Sequence, residues 1–309
     1  MRKVTTPLTD PFNRPVTSLR ISLTQVCNFN CFFCHQEGQH DAGPDMLPKE
    51  IETIVEVASS LGIDKIKLTG GEPLLRDDLL DVVQRITPII PNLSMTTNAA
   101  LLSEKACELK EAGLQRVNIS LHSLNPELFE KITCINSYES VEKGIKSALE
   151  CGLNPVKLNM VVMKGLNHEE IPEMIEFAKK TNTILQLIEF QELENGVEPY
   201  EELHYDLEPV EKMLESRAVK IHEREMHRRK QYHLEGGGMV EVVRPMHNTR
   251  FCANCNRLRL TSDGFLKPCL MRDDNHIDII SLVRNEAPKT VLVDAFKEAV
   301  SYREPFWSD

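Results

Sequence analysis

The sequence has no hydrophobic run long enough to cross a membrane and no apolar segment typical of a signal peptide. None of its apolar stretches approaches the roughly 18 residues that a membrane-spanning helix needs. The first residues, MRKVTTPLTDPF, lack the apolar centre of a secretory signal. The chain also has no low-complexity segment and no basic amphipathic stretch suited to a membrane surface. We therefore expect a cytoplasmic protein with no membrane partner.

The sequence contains fewer basic than acidic residues. The 309 residues include 36 lysines and arginines against 47 aspartates and glutamates, a formal net charge of −11 at pH 7. A nucleic-acid-binding protein needs a basic face for the phosphates, so this balance excludes general affinity for nucleic acid. It does not exclude a small anionic ligand, which a local group of basic residues could hold.

What the sequence does have is nine cysteines. In a cytoplasmic protein, cysteines are more typical of metal or redox ligands than of disulfides. Six of them form two groups, Cys27, Cys31 and Cys34 in the pattern C-x3-C-x2-C (the first triad) and Cys252, Cys255 and Cys269 (the second triad). The other three, Cys107, Cys134 and Cys151, are predicted to be small buried hydrophobic residues.

Each triad is one ligand short of the four that a four-iron cluster takes from a protein. One iron would then be open, so that a small molecule could bind there and receive an electron. Zinc also needs a fourth ligand, and His35 is too close in sequence to Cys34 to complete a tetrahedron easily. We therefore predict two [4Fe–4S] clusters. A scaffolding or binding protein with two zinc sites is the non-enzymatic alternative.

Short β-branched runs alternate with helical segments from residue 19 to about residue 190. The predicted strands are Leu19–Thr24, Lys65–Thr69, Leu93–Thr97, Arg116–Leu121, Val156–Val162 and Leu185–Phe190. Such alternation is typical of parallel strands joined by right-handed crossovers. Six units are too few for a closed eight-stranded barrel, so we predict an α/β fold with a partial (βα)6 TIM-like barrel in residues 1–205. Residues 206–309 would form a smaller C-terminal domain that carries the second cluster.

Polar groups follow several of the predicted strands. The first triad comes after the first strand, and Thr69-Gly70-Gly71-Glu72-Pro73 comes after the second. Ser120 ends the fourth strand. Because the carboxyl ends of parallel strands meet at one rim, we expect these groups to lie around a common site.

The first triad followed by Gly70-Gly71-Glu72-Pro73 on a βα repeat resembles the radical S-adenosylmethionine (SAM) superfamily. A second motif makes the resemblance more specific. It is the run FCANCNRLRLTSDG from Phe251, with thirteen residues between Cys255 and Cys269. It is similar to the GTP 3′,8-cyclases, the family that begins molybdenum cofactor biosynthesis. The similarity extends from about Asn13 to Arg272.

The resemblance implies that the first cluster binds SAM and yields a 5′-deoxyadenosyl radical, which takes the 3′ hydrogen of GTP. Ring closure onto C8 would give (8S)-3′,8-cyclo-7,8-dihydroguanosine 5′-triphosphate, while the second cluster holds the guanine. An electron donor and a downstream cyclic pyranopterin synthase are the implied partners. The oligomeric state stays open, with a homodimer as one alternative.

The resemblance also implies site residues. The arginines that would act in catalysis are Arg20, Arg257 and Arg259. The positions that would contact GTP are Arg20, Lys65, Lys67, Thr96, Lys157, Arg257, Leu258 and Arg259. The positions that would contact SAM are Phe33, Gly71, Ser120 and Gln191. The sequence itself supports the GTP-binding role of two lysines. Lys65 and Lys67 are two apart on one strand and face the same side. A triphosphate needs several cations.

Three features depart from the family pattern. The sequence ends in Glu304-Pro-Phe-Trp-Ser-Asp309 where relatives often have a Gly-Gly tail. Gln191 stands where Met is frequent, and Gln186 stands where an anion-binding Arg is common. The basic run His227–Lys230 either compensates for that arginine or is a solvated face. We interpret His122, His247 and Glu189 as structural, and another two-cluster radical enzyme acting on a peptide or a different nucleotide is the enzymatic alternative.

Overall fold

A single sheet of twelve strands organises the computed structural model, which describes residues 6–39, 43–192 and 200–308. The strands are β1 (Ser18–Ser22), β2 (Lys65–Thr69), β3 (Leu93–Thr97), β4 (Arg116–Ser120), β5 (Val156–Val162), β6 (Ile184–Glu189), β7 (Ala218–Glu223), β8 (Lys230–Leu234), β9 (Met239–Val243), β10 (Arg257–Leu260), β11 (Phe265–Lys267) and β12 (Ile277–Asp278). Their order across the sheet is β12-β11-β10-β1-β2-β3-β4-β5-β6-β9-β8-β7.

The six predicted strands are confirmed, and they lie side by side in chain order. All neighbouring pairs from β1 to β6 are parallel. The later part of the chain adds a parallel strand to each side, β10 beside β1 and β9 beside β6. Antiparallel strands then extend both edges. Strands from before and after residue 205 belong to the same sheet. The division into domains 1–205 and 206–309 therefore stays a prediction.

The helices alternate with the strands as expected for βα units. They are α1 (Pro48–Ser60), α2 (Leu79–Ile86), α3 (Leu102–Glu111), α4 (Pro126–Thr133), α5 (Tyr138–Glu150), α6 (Ile171–Lys180), α7 (Tyr200–Leu203), α8 (Glu208–Arg217), α9 (Thr249–Ala253), α10 (Ile280–Arg284) and α11 (Lys289–Ser301). In the part of the chain that the structure describes, no helix is both long and apolar enough to span a bilayer.

Alternate residues along a strand face opposite sides of the sheet. One side packs in the hydrophobic core, and the other faces a central cavity. On β5, Val156, Leu158, Met160 and Val162 are buried in the hydrophobic core, while Lys157 and Asn159 face a central cavity. The same alternation on β2 buries Ile66 and Leu68 and turns Lys65 and Lys67 inward. A period of two therefore places apolar residues under the helices and polar residues inside the curved sheet.

Local features set the bounds of several elements. Helix α3 starts at Leu102, whose N–H donates to the Ala99 carbonyl. Asn125 caps α4 by accepting hydrogen bonds from two backbone N–H groups, and Pro126 begins this helix. Residues 277–278 form the short strand β12, which pairs with β11.

The unassigned cysteines also differ from the prediction. Cys107 of α3 and Cys151 at the end of α5 form a disulfide, since the packing of the two helices brings their Cα atoms to 4.9 Å. Cys134 is exposed rather than buried, and it ends α4 in a left-handed conformation with φ of 60°.

This disulfide is expected to stabilise the fold. It closes a loop with a sequence separation of 44 residues, which restricts the unfolded chain. The double variant Cys107→Ser/Cys151→Ser should therefore lose about 2–4 kcal/mol of unfolding free energy. Denaturant unfolding followed by circular dichroism measures the difference. Cys134→Ser is the matched control, and a double variant no less stable than that control would contradict the prediction.

Candidate active site

The inner face of the sheet surrounds a cavity of about 450 Å³. Residues from β1 to β6 line it, and so do residues from β9, β10 and the segments after them. Both cysteine triads lie in its wall. The predicted meeting of strand-end groups at one site is therefore observed, with the second triad brought to the same space.

The first triad lies in the loop that follows β1. The Phe29 N–H donates to the Cys27 Sγ at 3.4 Å, and the Gln36 N–H donates to the Cys34 Sγ at 3.4 Å. Burial raises the pKa of each of the three thiols, and the neighbouring thiols of the triad raise the pKa of Cys31 further, to about 12. Such closely placed thiols need a cationic centre among them to be ionised together.

The Gly70-Gly71 pair allows the chain after β2 to approach this cysteine loop closely. The Gly71 N–H donates to the Thr24 carbonyl at 2.7 Å. A Cβ atom on Gly71 would lie 2.2 Å from the Val26 carbonyl oxygen, and Gly70 has φ of +140°. Only glycine meets both requirements, so these residues hold the loop that carries the first triad.

Glu72 is fully buried at the same rim. Its carboxylate accepts hydrogen bonds from the Thr97 hydroxyl and from the Asn98 N–H, each at 2.7 Å. Burial nevertheless raises the pKa of Glu72 to about 7. The carboxylate thus ties the ends of β2 and β3 together beside the cysteine loop.

The second triad is held by two buried arginines. Arg14 donates to the Cys252 carbonyl at 2.8 Å, and Arg303 donates to the Cys255 carbonyl at 2.6 Å. Asp10 pairs with both guanidinium groups, at 2.8 and 3.0 Å. Segments from the two ends of the described chain therefore fix the backbone that presents these thiols.

Residues close to the end of the chain also reach the second triad. Glu304, Phe306 and Trp307 line the cavity. The backbone N–H groups of Phe306 and Trp307 lower the pKa of the Cys252 thiol, although burial raises it more strongly. Residues 304, 306 and 307 therefore belong to the same cavity wall as the second triad.

The cavity is strongly basic, in contrast to the acidic chain as a whole. Among the described residues, eleven arginines and lysines line it against four glutamates. Glu37 holds two of these cations, Arg20 at 2.5 Å and Arg259 at 2.6 Å. Burial opposes ionisation of Glu37, but the two arginines outweigh it and lower its pKa to about 2. Glu37 therefore keeps two like-charged groups side by side.

Arg257 lies next to this pair and has no carboxylate partner in the described ranges. The one hydrogen bond that its side chain makes in these ranges runs to the Met226 sulfur at 3.4 Å. Burial lowers the pKa of Arg257, and the nearby Arg20 and Arg259 add to the effect. A half-buried guanidinium without a carboxylate partner is costly unless an anion joins it, so its position suits an anionic ligand.

Lysines complete the basic wall on β2 and β5. Lys67 donates to the Asn118 side-chain oxygen at 2.7 Å, and burial lowers the pKa of Lys67 well below its usual range. Lys157 pairs with Glu241 at 2.6 Å. Burial lowers the pKa of Lys157 to about 8, although Glu241 opposes this shift.

The structure brings nearly all predicted site residues to the cavity. Those that line it are Arg20, Phe33, Lys65, Lys67, Gly71, Thr96, Ser120, Lys157, Gln191, Arg257, Arg259 and the six cysteines. The Leu258 side chain instead packs in the core, opposite Leu19 of β1. Lys65 stands at the edge, with 41% of its side chain exposed. Their contacts with GTP and SAM stay predictions.

Several residues left aside in the sequence analysis also line the cavity. His122 is buried there and accepts a hydrogen bond from the Val161 N–H at 3.2 Å. Burial lowers its pKa to about 4, so it is neutral. Glu189 lines the cavity and accepts from the Met246 N–H at 3.0 Å. In the basic run, His227 and Arg229 are buried against the cavity, so for these two residues the solvated-face alternative is wrong.

Two family models match consecutive parts of the chain. Residues 21–178 match the Radical SAM superfamily, and residues 183–308 match Molybdenum Cofactor Synthesis C. A probable GTP 3′,8-cyclase of Thermococcus kodakarensis is 55% identical over 97% of this chain and 99% of its own length. One from Pyrococcus abyssi is 53% identical over 97% of this chain and 100% of its own length.

The chain belongs to the GTP 3′,8-cyclase family of the radical SAM superfamily.

Solved structures with low identity share the fold of this GTP 3′,8-cyclase family member. Streptococcus suis SuiB superposes with a TM-score of 0.65 at 18% identity, and the match covers 88% of this chain and 66% of SuiB. The enzyme anSMEcpe with bound AdoMet superposes with a TM-score of 0.62 at 16% identity, over 90% of this chain and 80% of that one. These likenesses confirm the predicted α/β architecture.

Radical SAM proteins use a [4Fe–4S] cluster and SAM, and the first triad fits such a cluster. It offers three soft sulfur donors in one loop, two of which accept backbone N–H groups. Across residues 6–39, 43–192 and 200–308, no three His, Cys, Asp or Glu side chains are arranged to hold a single metal ion. The fit therefore depends on the donor chemistry and on the mutual influence of the three thiols.

Proposed function

We propose that this chain converts GTP to (8S)-3′,8-cyclo-7,8-dihydroguanosine 5′-triphosphate, the first step of molybdenum cofactor biosynthesis. The observation that carries the proposal is that both triads open into one cavity whose wall includes the half-buried Arg257, which has no carboxylate partner among the described residues. The near-full-length relatives named as probable GTP 3′,8-cyclases support it. The excess of cations favours a triphosphate over a peptide as the substrate.

The first triad, Cys27, Cys31 and Cys34, would hold the cluster that binds SAM. When bound, the cluster and SAM supply a carbon radical that can take a hydrogen atom from the substrate. The protein itself must hold the nucleotide in one orientation and keep water and other hydrogen donors away. The cavity wall of buried strand residues supports both tasks.

The triphosphate would lie against the basic wall. Arg20 and Arg259, held by Glu37, offer guanidinium groups of fixed orientation, and Arg257 adds a third beside them. Lys67 and Lys157 approach from β2 and β5. These five cations are the substrate-binding residues in this proposal, with Thr96 and Lys65 at the edges.

SAM would lie beside the first triad, against Phe33, Gly71, Ser120 and Gln191. Two observations support this placement. The Gln191 side-chain oxygen is buried without a partner in the described structure, so it can accept a hydrogen bond from a ligand. The Gly71 N–H is already donated to Thr24, so Gly71 would contact SAM through its carbonyl oxygen.

The second triad, Cys252, Cys255 and Cys269, is proposed to hold a second [4Fe–4S] cluster whose open iron meets the guanine. Its position in the wall beside Arg257 supports this role. A cytoplasmic location, an electron donor and a downstream cyclic pyranopterin synthase are part of the same proposal.

The decisive experiment is anaerobic incubation of the iron- and sulfide-reconstituted protein with GTP, SAM and a reductant. Mass spectrometry should show one cyclised nucleotide isomeric with GTP for each 5′-deoxyadenosine formed. Deuterium at the GTP 3′ position should appear in 5′-deoxyadenosine. If SAM is cleaved but no label transfers from GTP, a different substrate is indicated. Zinc without labile sulfide would contradict the enzymatic function altogether.

GTP affinity is expected to fall above pH 8. The pKa of Lys157 is lowered to about 8 by burial, so this lysine is charged below pH 8 and loses its charge as the pH rises. Binding to a phosphate favours the charged form, and affinity should fall by up to about tenfold per pH unit above the pKa of the free protein.

Equilibrium binding of GTP between pH 6.5 and 9.5 tests this dependence. Lys67 is half-buried and also has a lowered pKa, so it contributes to the same decline. Lys157→Arg is the control, because arginine keeps its charge throughout this range. Its affinity should decline less steeply than that of the wild type. Identical pH profiles would contradict the assignment of Lys157.

A further inference from the structure

A second charged group lies in the cavity wall, away from Arg20, Arg257 and Arg259. At its centre is Glu241 of β9, whose side chain is fully buried. Its carboxylate pairs with Lys157 at 2.6 Å, Arg229 at 2.9 Å and Arg224 at 3.2 Å. The side-chain amides of Gln186 and Gln231 each donate to it at 2.9 Å.

This group has more positive than negative charge. In the described ion pairs, Glu241 is the only acidic partner of Lys157, Arg224 and Arg229. One carboxylate thus faces three cations, and the side chains of Lys157 and Arg229 are only 11% and 10% exposed. Excess charge of one sign in a buried place is unfavourable unless a further counter-ion joins it.

The spare donors of the group face the cavity. Arg224, Arg229 and Lys157 all line it. The Nε atom of Arg229 is buried and has no hydrogen-bond partner among the residues that the structure describes. Glu241 already accepts from five side chains, so it cannot satisfy this donor as well. An acceptor that enters the cavity could.

One tight loop carries both arginines. The Arg224 N–H donates to the Arg229 carbonyl at 2.9 Å and closes the loop. Between them, His227 and Arg228 have φ of 63° and 52°, so the chain reverses there. Arg228 lies outside the cavity, with 44% of its side chain exposed, and pairs with Glu223. The loop therefore directs two of its three arginines inward.

We propose that Arg224 and Arg229, together with Lys157, form a second phosphate-binding group for the GTP triphosphate. Glu241 is the positioning residue that holds the three cations. The inference rests on the proposed function, because it names further residues for the same substrate. It also explains how a chain with Gln186 on β6 can bind a triphosphate: the cations come from the C-terminal loop, and Gln186 helps to hold Glu241.

Equilibrium dialysis of the anaerobic, reconstituted holoenzyme tests the inference. GTP, guanosine and inorganic tripolyphosphate are measured separately, the last by displacement of GTP. Arg229→Ala and Arg224→Ala should each weaken GTP and tripolyphosphate binding by roughly 10- to 100-fold, as expected when one hydrogen bond to a charged group is lost. Guanosine affinity should stay within about twofold.

The matched control is Arg228→Ala, which makes the same change on the same loop but outside the cavity. It should bind all three ligands like the wild type. A fraction of unfolded variant would lower the number of sites without changing their affinity, so partial unfolding cannot imitate the expected result.

Two results would overturn the inference. One is GTP affinity unchanged in both arginine variants, and the other is an equal loss of guanosine affinity. Failure of the proposed function looks different. If the wild type binds tripolyphosphate through these arginines but forms no cyclised product, the phosphate-binding group stands and the cyclase assignment does not.

Discussion

Cys27→Ala is expected to abolish 5′-deoxyadenosine formation. Cys27 is one of only three cysteine ligands that the first triad offers, and the Phe29 N–H that donates to its sulfur would lose its acceptor. Loss of a residue that merely supports a metal ligand costs about 10- to 100-fold in affinity or activity, so loss of a ligand should cost more. SAM cleavage is measured by chromatography, and iron and sulfide are measured on the same sample.

Cys134 offers a control for this prediction. It lies close enough to Cys31 to influence the pKa of that thiol, but it is exposed and lies outside the triad. Cys134→Ala should keep the iron content and the cleavage rate of the wild type. Normal cleavage in Cys27→Ala, or a loss of iron in Cys134→Ala, would show that the ligand set has been assigned wrongly.

Much of the fold and of the site could be predicted because local pattern and tertiary structure agree. The period of two on β2 placed Lys65 and Lys67 on one side, and that side faces the cavity. The first triad and the Gly70-Gly71 pair each follow a strand, and the ends of these strands meet at the cavity. In these cases the sequence neighbours of a residue determine its surroundings.

The ionic partners could not be predicted in the same way. Glu37 lies 222 residues from Arg259, and Glu241 lies 84 residues from Lys157. Nothing in the local sequence says which cation a given carboxylate meets. Glu241 did leave a signal, since it is a lone charge in the apolar strand Met239–Val243. The Cys107–Cys151 disulfide was missed for a related reason, because it depends on how α3 and α5 pack.

The buried charges also explain why the cavity can be basic in an acidic protein. Glu37 and Glu241 each hold more than one cation in a fixed position. The net charge of each carboxylate with its cations is therefore positive. The free protein accepts this unfavourable arrangement, and a bound anion relieves it. Substrate affinity and the stability of the free protein should therefore change in opposite directions when one of these cations is removed.

Arg257→Ala tests the same opposition at a cation that lies beside the Glu37 group and is not paired with a carboxylate in the described residues. Arg257 is half-buried, lacks a carboxylate partner in the described residues and is repelled by Arg20 and Arg259. Its removal should lower kcat/KM for formation of the cyclised nucleotide by roughly 10- to 100-fold or more, since a hydrogen bond from a charged group to the substrate is lost. Iron content and SAM cleavage without product should persist. Without GTP, the variant should unfold at the same temperature as the wild type or higher.

The matched control is Arg250→Ala, which removes an exposed arginine that is paired with Glu223. Its activity should equal that of the wild type, with at most a small change in stability. If Arg257→Ala loses iron or becomes clearly less stable, the arginine serves the structure around the second triad. If the variant forms product undiminished, GTP does not bind beside Arg257. Only loss of product without loss of stability fits a guanidinium that binds the substrate and does not stabilise the fold.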